Sequence, residues 1–155
     1  MNASRFTATG RPTLLYAVKQ LELAVRSQLD EVLKPYGVTT TQYTALTVLD
    51  HRGDVTSAAL ARRSFVTAQT MGDVVTALER QGLIQRHADP AHRRRLTITL
   101  TATGHVFLEK VRHAIDDVEV LMTQGISPDS VELFRGLLRS CLVNLSQPGA
   151  SREAG

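Results

Sequence analysis

The segment Asp89-Pro90-Ala91-His92-Arg93-Arg94-Arg95 holds the densest binding chemistry of this chain. Arg93, Arg94 and Arg95 present three consecutive guanidinium groups, planar forks of donors that fit phosphate oxygens. Arginine also suits a narrow A·T-rich minor groove, where the negative potential is enhanced. Asp89 and Pro90 are turn formers, so the arginines are expected in a loop. A second polar stretch is Thr67-Ala68-Gln69-Thr70, followed by Asp73. Its amide, hydroxyls and small methyl group are the chemistry of hydrogen-bonded and apolar contacts to base edges. Arg62 and Arg63 precede it and are candidates for backbone phosphate contact.

Other chemistries are excluded by what is missing. No Gly-rich phosphate loop, nucleophile elbow or paired acid/base motif occurs, so no enzyme activity, catalytic residue or cofactor is expected. The five histidines (51, 87, 92, 105 and 113) are not accompanied by a Cys or Glu/His cluster that completes a tetrahedral site, so no metal is expected. Cys141 is the single cysteine and cannot form an internal disulfide. It lies on the apolar stripe of the last helix, where a cysteine reads as a small buried hydrophobe. Aromatics are 5% and Trp is absent, which argues against a large aromatic-lined cleft. No apolar run is long enough to cross a membrane and no signal peptide is visible, so a cytoplasmic location is expected.

The 155 residues suit one domain, and 43% hydrophobic content is enough for a core. Net charge is +3, but it is unevenly placed. Residues 1–104 hold 13 Lys and Arg against 8 Asp and Glu, a balance of +5; residues 105–155 hold 5 against 7, a balance of −2. An arginine-rich half beside a mildly acidic half points to an anionic partner for the first.

The elements that would position these residues follow from hydrophobic period. Residues 1–11 and 147–155 are polar and read as flexible tails. Leu14, Val18, Leu21, Val25, Leu29 and Val32 recur at spacings of three and four, which predicts a first helix from Pro12, stopped by Lys34-Pro35-Tyr36-Gly37. Thr39-x-x-Gln42 has the form of a capping box and opens a second helix with Tyr43, Leu46 and Leu49 inward, closed near Gly53. A short third helix runs from Ser57 to Arg63, with Leu60 inward. Thr67 caps a fourth, which buries Met71, Val74, Val75 and Leu78 and stops at Gly82. Leu83 to His87 and Leu96 to Leu100 read as two strands joined by the charged loop. A long helix starts at Thr101, and Ser127-Pro128 opens the last one, carrying Val131, Phe134, Leu138, Cys141 and Leu145.

The predicted fold class is mainly α with a small β-hairpin: a winged helix-turn-helix with long flanking helices. Those helices carry more apolar surface than the small module can cover, so a symmetric dimer is expected. Leu14, Leu138, Leu142 and Leu145 are expected in that interface. The protomer spans 12–146, with the module at 39–104 and dimerisation helices at 12–36 and 105–146.

The residues Gly82-Leu83-Ile84-Gln85-Arg86, Asp89-Pro90 to Arg93-Arg94 and Leu96-Thr97-Ile98-Thr99-Leu100-Thr101-Ala102-Thr103-Gly104 resemble the MarR family of bacterial transcription regulators. The family pattern is Gly-Leu, a basic residue, Asp-x-x-Asp-Arg-Arg, an alternating strand and Leu-Thr-x-x-Gly. Two departures are visible. His92 stands where the family has its second wing aspartate, and Gly72-Asp73 where it often has a polar residue followed by Arg.

The resemblance implies a homodimer whose recognition helices enter successive major grooves of a palindromic double-stranded DNA operator, with wings in the flanking minor grooves. The fourth helix is then the recognition helix, contacting DNA with Thr67, Ala68, Gln69, Thr70 and Asp73. Arg94 resembles the groove-inserting arginine, and Asp89 the aspartate that holds it. A small aromatic ligand would bind between the first, second and fifth helices near the dimer junction, where Tyr16, Tyr43 and His51 lie. The competing reading is a winged-helix protein–protein adaptor without DNA binding.

Overall fold

The computed structural model of the chain describes residues 10–146. Nearly all of the two tails assigned from the sequence therefore lies outside the described residues. The elements are α1 (Leu14–Leu33), a 3₁₀ turn (Lys34–Tyr36), α2 (Thr40–Arg52), α3 (Ser57–Arg63), α4 (Ala68–Arg80), β1 (Ile84–Asp89), β2 (His92–Leu100), α5 (Ala102–Met122) and α6 (Pro128–Ser146). The fold is thus mainly helical, with one two-stranded antiparallel sheet. The chain divides into two compact units within α5, one ending at Val118 and the other beginning at Glu119.

Local chemistry sets the helix starts of the first unit. Thr13, Thr39, Thr56 and Thr67 are each N-caps whose hydroxyl accepts an amide of the first turn. At α2 the capping box closes in both directions: Thr39 Oγ1 accepts from Gln42 N, and Gln42 Oε1 accepts from Thr39 N. The first helix ends as its residues imply, with Pro35 in the 3₁₀ turn and Gly37 left-handed at φ 69°.

The core of this unit is a cluster of Val38, Leu46 and Leu49 from the α2 region, Leu60 and Ala61 from α3, Met71, Val74, Val75 and Leu78 from α4, and Leu83, Ile84 and Ile98 from the hairpin. Phe107 and Leu108 of α5 pack against it. Four expected inward residues of α4 are the four it buries. A period of three and four selects one face, and this face meets α2, α3 and the hairpin.

The start of α5 is held by two residues with different jobs. Thr101 Oγ1 donates to the Gly82 carbonyl at 2.6 Å and accepts from Gly104 N at 3.0 Å, which fastens the helix start to the exit of α4. Gly104 is buried, and a Cβ there would collide with the Leu83 carbonyl oxygen and crowd Leu100 Cδ2. Only glycine permits that approach.

The hairpin corrects the sequence reading. The arginine triplet lies within β2, not in a loop before it. Pro90 and Ala91 alone make the turn, because Asp89 pairs with His92. The next pair is Ala88 with Leu96, so Arg93, Arg94 and Arg95 bulge out opposite a single step of β1. The sheet also gains a one-residue extension that no period could announce: Val55 exchanges two backbone hydrogen bonds with Ile98, at 3.2 and 2.8 Å.

In the second unit, α6 buries no residue. Its start is as expected, with Ser127 Oγ accepting from Ser130 N. Arg135 pairs with Glu119 and Glu132, whose carboxylates hold its pKa above the ordinary value. Cys141 is exposed, which corrects its placement in a core. Apolar spacing marked the stripe on which it lies, but α6 has no buried residue among those described.

Candidate nucleic-acid interface

The first turn of α4 is built to present side chains. Thr67 accepts from Thr70 N with its oxygen and donates its proton to Thr70 Oγ1 at 3.0 Å. That leaves the Thr70 hydroxyl proton free to donate outward. Ala68, Gln69, Thr70 and Asp73 are all exposed, and neither Gln69 nor Asp73 has a partner among the described residues. Arg62 and Arg63 are exposed on the last turn of α3.

The turn between α3 and α4 contains a residue the sequence reading passed over. Phe65 has φ 59°, the left-handed region, and its side chain is 80% exposed. A residue other than glycine there costs roughly 1 kcal/mol. Its amide donates to the Arg62 carbonyl at 3.4 Å, and Val66 N to the Ala61 carbonyl at 3.1 Å, so the chain reverses tightly.

The wing is tied back to the recognition candidate. Arg86 of β1 donates through Nε and Nη2 to Glu79 Oε2 of α4, at 3.1 and 2.7 Å. The guanidinium holds the Glu79 carboxyl below its ordinary value of 4.5. His87 Nε2 donates to Asp54 Oδ2 at 3.1 Å, linking β1 to the segment before α3. Neither pair was visible in the sequence, because each joins elements brought together only by folding.

Arg93, Arg94 and Arg95 are exposed, and none has an ion-pair partner among the described residues. Asp89 supports the wing differently from the role the resemblance implies. Its Oδ1 accepts from Ala91 N at 2.9 Å and so stabilises the turn; no ion pair joins it to Arg94.

A separate hollow of about 130 Å³ lies between α2 and α5. Tyr43, Thr47, Asp50, His51, Leu108, Arg112, Ile115 and Asp116 line it. Tyr43 and His51 both line it, whereas Tyr16 does not and is exposed on α1. Burial, then the charge of Asp116, raise the Tyr43 phenol above its ordinary 10.0, opposed by Arg112. His51 Nδ1 donates to the Thr47 carbonyl at 2.8 Å. Arg112, also missed from the sequence, pairs with Glu109 and adds a cation to the rim.

Leu14, Leu138, Leu142 and Leu145 are all exposed in the single chain. Among the described residues, no group of three potential ligands could hold a metal ion, and no helix is long and apolar enough to cross a membrane.

A helix-turn-helix (α3 and α4) followed by a basic two-stranded wing defines the class: a winged helix-turn-helix protein. The sequence model of the MarR family matches residues 36–95. The transcriptional repressor Rv2887 of Mycobacterium tuberculosis is 26% identical over 123 residues, covering 79% of this chain and 88% of that protein. A MarR family regulator from Silicibacter pomeroyi superposes with TM-score 0.83 at 23% identity, over 89% of this chain and 96% of the other. The DNA complex of MepR from Staphylococcus aureus gives 0.74 at 24%, over 86% and 99%. CouR from Rhodococcus jostii, bound to p-coumaroyl-CoA, gives 0.74 at 22%, over 83% and 90%. At these identities the three structures are evidence of shared fold. Together with the sequence matches, they show a chain similar to the MarR family of transcription regulators, with the family model itself matching residues 36–95.

Proposed function

We propose that the protein is a dimeric, sequence-specific regulator that binds a palindromic operator and is released by a small aromatic ligand. The observation that carries this reading is the coupling of two exposed contact surfaces. The Arg86–Glu79 pair ties the wing, with its unpaired arginines, to the helix that presents Gln69 and Thr70. Gln69 reads adenine through N6 and N7, Ala68 meets a thymine methyl, and Arg94 enters the adjoining minor groove. Arg62, Arg63, Arg93 and Arg95 lie along phosphates. Two half-sites need two protomers, and the exposed leucines of α1 and α6 form the dimer surface. CouR, with its bound p-coumaroyl-CoA, lends support to the ligand half of the reading. The α2–α5 hollow is near the size that holds a single ring, about 150 Å³ for benzene, and Arg112 would meet a carboxylate. A hundredfold release requires about 2.7 kcal/mol of preference for the DNA-incompetent state.

The test is a titration of operator DNA at two salt concentrations with the wild type, Arg94→Ala and Gln69→Ala. Arg94→Ala should bind weakly and lower the log–log salt slope by up to about 0.9 per lost phosphate contact. Gln69→Ala should cost about 1–3 kcal/mol on the cognate site alone. Light scattering of the same samples should give twice the chain mass. Wild-type affinity in both variants would sink the reading and favour the adaptor.

A further inference from the structure

Asp73 stands on the exposed side of α4, one turn beyond Gln69. Nothing among the described residues accounts for its charge. Its carboxylate has no partner among the described residues. The residues three and four places away, Gln69, Thr70, Thr76 and Ala77, are all uncharged, so no helical ion pair forms. The helix begins at Ala68, which puts Asp73 past the first turn, where a carboxylate would gain from the free amides. Gly72 beside it is equally unexplained by packing. A Cβ there would meet open space, and alanine would favour the helix.

A carboxylate on a DNA-facing helix is repelled by phosphates and can only accept hydrogen bonds. It is favoured solely against a base edge that offers a donor. In the major groove those donors are the cytosine N4 and adenine N6 amino groups. Adenine sets its N7 acceptor beside N6, which suits an amide and opposes a carboxylate. Cytosine offers N4 without an acceptor of its own beside it. Thr76, the next exposed residue along, donates its hydroxyl proton to the Gly72 carbonyl at 2.9 Å, so it too offers the outside only acceptor lone pairs, and Asp73 carries the charge at this level.

We propose that Asp73 specifies a cytosine in each operator half-site, and that Gly72 leaves room for the base edge to approach the helix backbone. This rests on the DNA reading above. It makes the departure from the family's usual arginine a change of base preference.

The experiment selects sequences from a random double-stranded DNA library at fixed salt, using the full chain. Wild type, Asp73→Asn, Asp73→Ala and Gly72→Ala are compared, and enriched sequences are then titrated. Wild type should enrich a half-site with cytosine at one position. Asp73→Asn should replace that cytosine by adenine, with a preference change of roughly tenfold. Asp73→Ala should lose the preference there alone and bind unrelated DNA more tightly, because a repulsive charge is gone. Gly72→Ala should weaken cognate binding without lowering the thermal midpoint; unchanged affinity would overturn the close approach. Identical motifs from wild type and both Asp73 variants would overturn the cytosine assignment and leave the DNA reading intact. If wild type enriches nothing, both fall together.

Discussion

α4 and α6 look alike as sequence and differ completely in the folded chain. Both carry apolar residues at spacings of three and four. α4 buries Met71, Val74, Val75 and Leu78, whereas α6 buries none of its 19 residues. Hydrophobic period establishes that a helix has a face to cover. It does not say whether the same chain supplies the cover. α4 finds its cover in α2, α3 and the hairpin. The leucines of α6 remain open, and a second chain is the proposed answer.

The sharpest way to break this contrast is to truncate one leucine on each helix. Leu78→Ala should cost about 3–5 kcal/mol in chemical denaturation, independent of protein concentration. Leu138→Ala should instead make the unfolding midpoint more sensitive to concentration, since its loss is felt through association. Equal, concentration-independent costs would show that α6 is covered within its own chain.

A second test addresses how the first unit holds together without help. Gly104→Ala forces a Cβ toward the Leu83 carbonyl, which is backbone and has little freedom to give way. A loss of about 2–3 kcal/mol is expected in thermal unfolding. Wild-type stability would mean that the junction of α5 with the hairpin is loosely packed.

Phe65 tests the opposite sign. Phe65→Gly removes the left-handed strain, and the greater freedom of glycine in the unfolded chain offsets part of the gain. The net stabilisation should stay below about 1 kcal/mol. DNA binding that falls while stability rises would show that the exposed ring is retained for contact.

The smallest effect concerns the tie between α4 and the wing. The Glu79 carboxyl is held below 4.5 in the folded chain, mainly by its hydrogen bond from Arg86. Its contribution is therefore fully present above the unfolded value and is lost as pH falls through the folded one. Glu79→Gln should flatten the acid side of the stability profile and leave the alkaline side alone. An unaltered acid limb would show that solvent screens the pair completely.

Much of this was legible beforehand, and the reason is locality. N-caps at Thr39, Thr56 and Thr67, the stop at Gly37 and the inward face of α4 depend on residues within about one helical turn. Short-range hydrogen bonds and sterics set such features, so the order of residues determines them. The same holds for the exposed polar start of α4. What folding alone decided are relations between distant positions. The arginines moved from loop to bulge because strand register pairs Asp89 with His92. Glu79 met Arg86, Asp54 met His87, and Val55 met Ile98 through the packing of separate elements. Tyr43 and Arg112 share a hollow while Tyr16 stands outside it, for the same reason. Cys141 shows the limit most plainly: its stripe was apolar in sequence, but burial is a property of what lies opposite, and the residue is exposed.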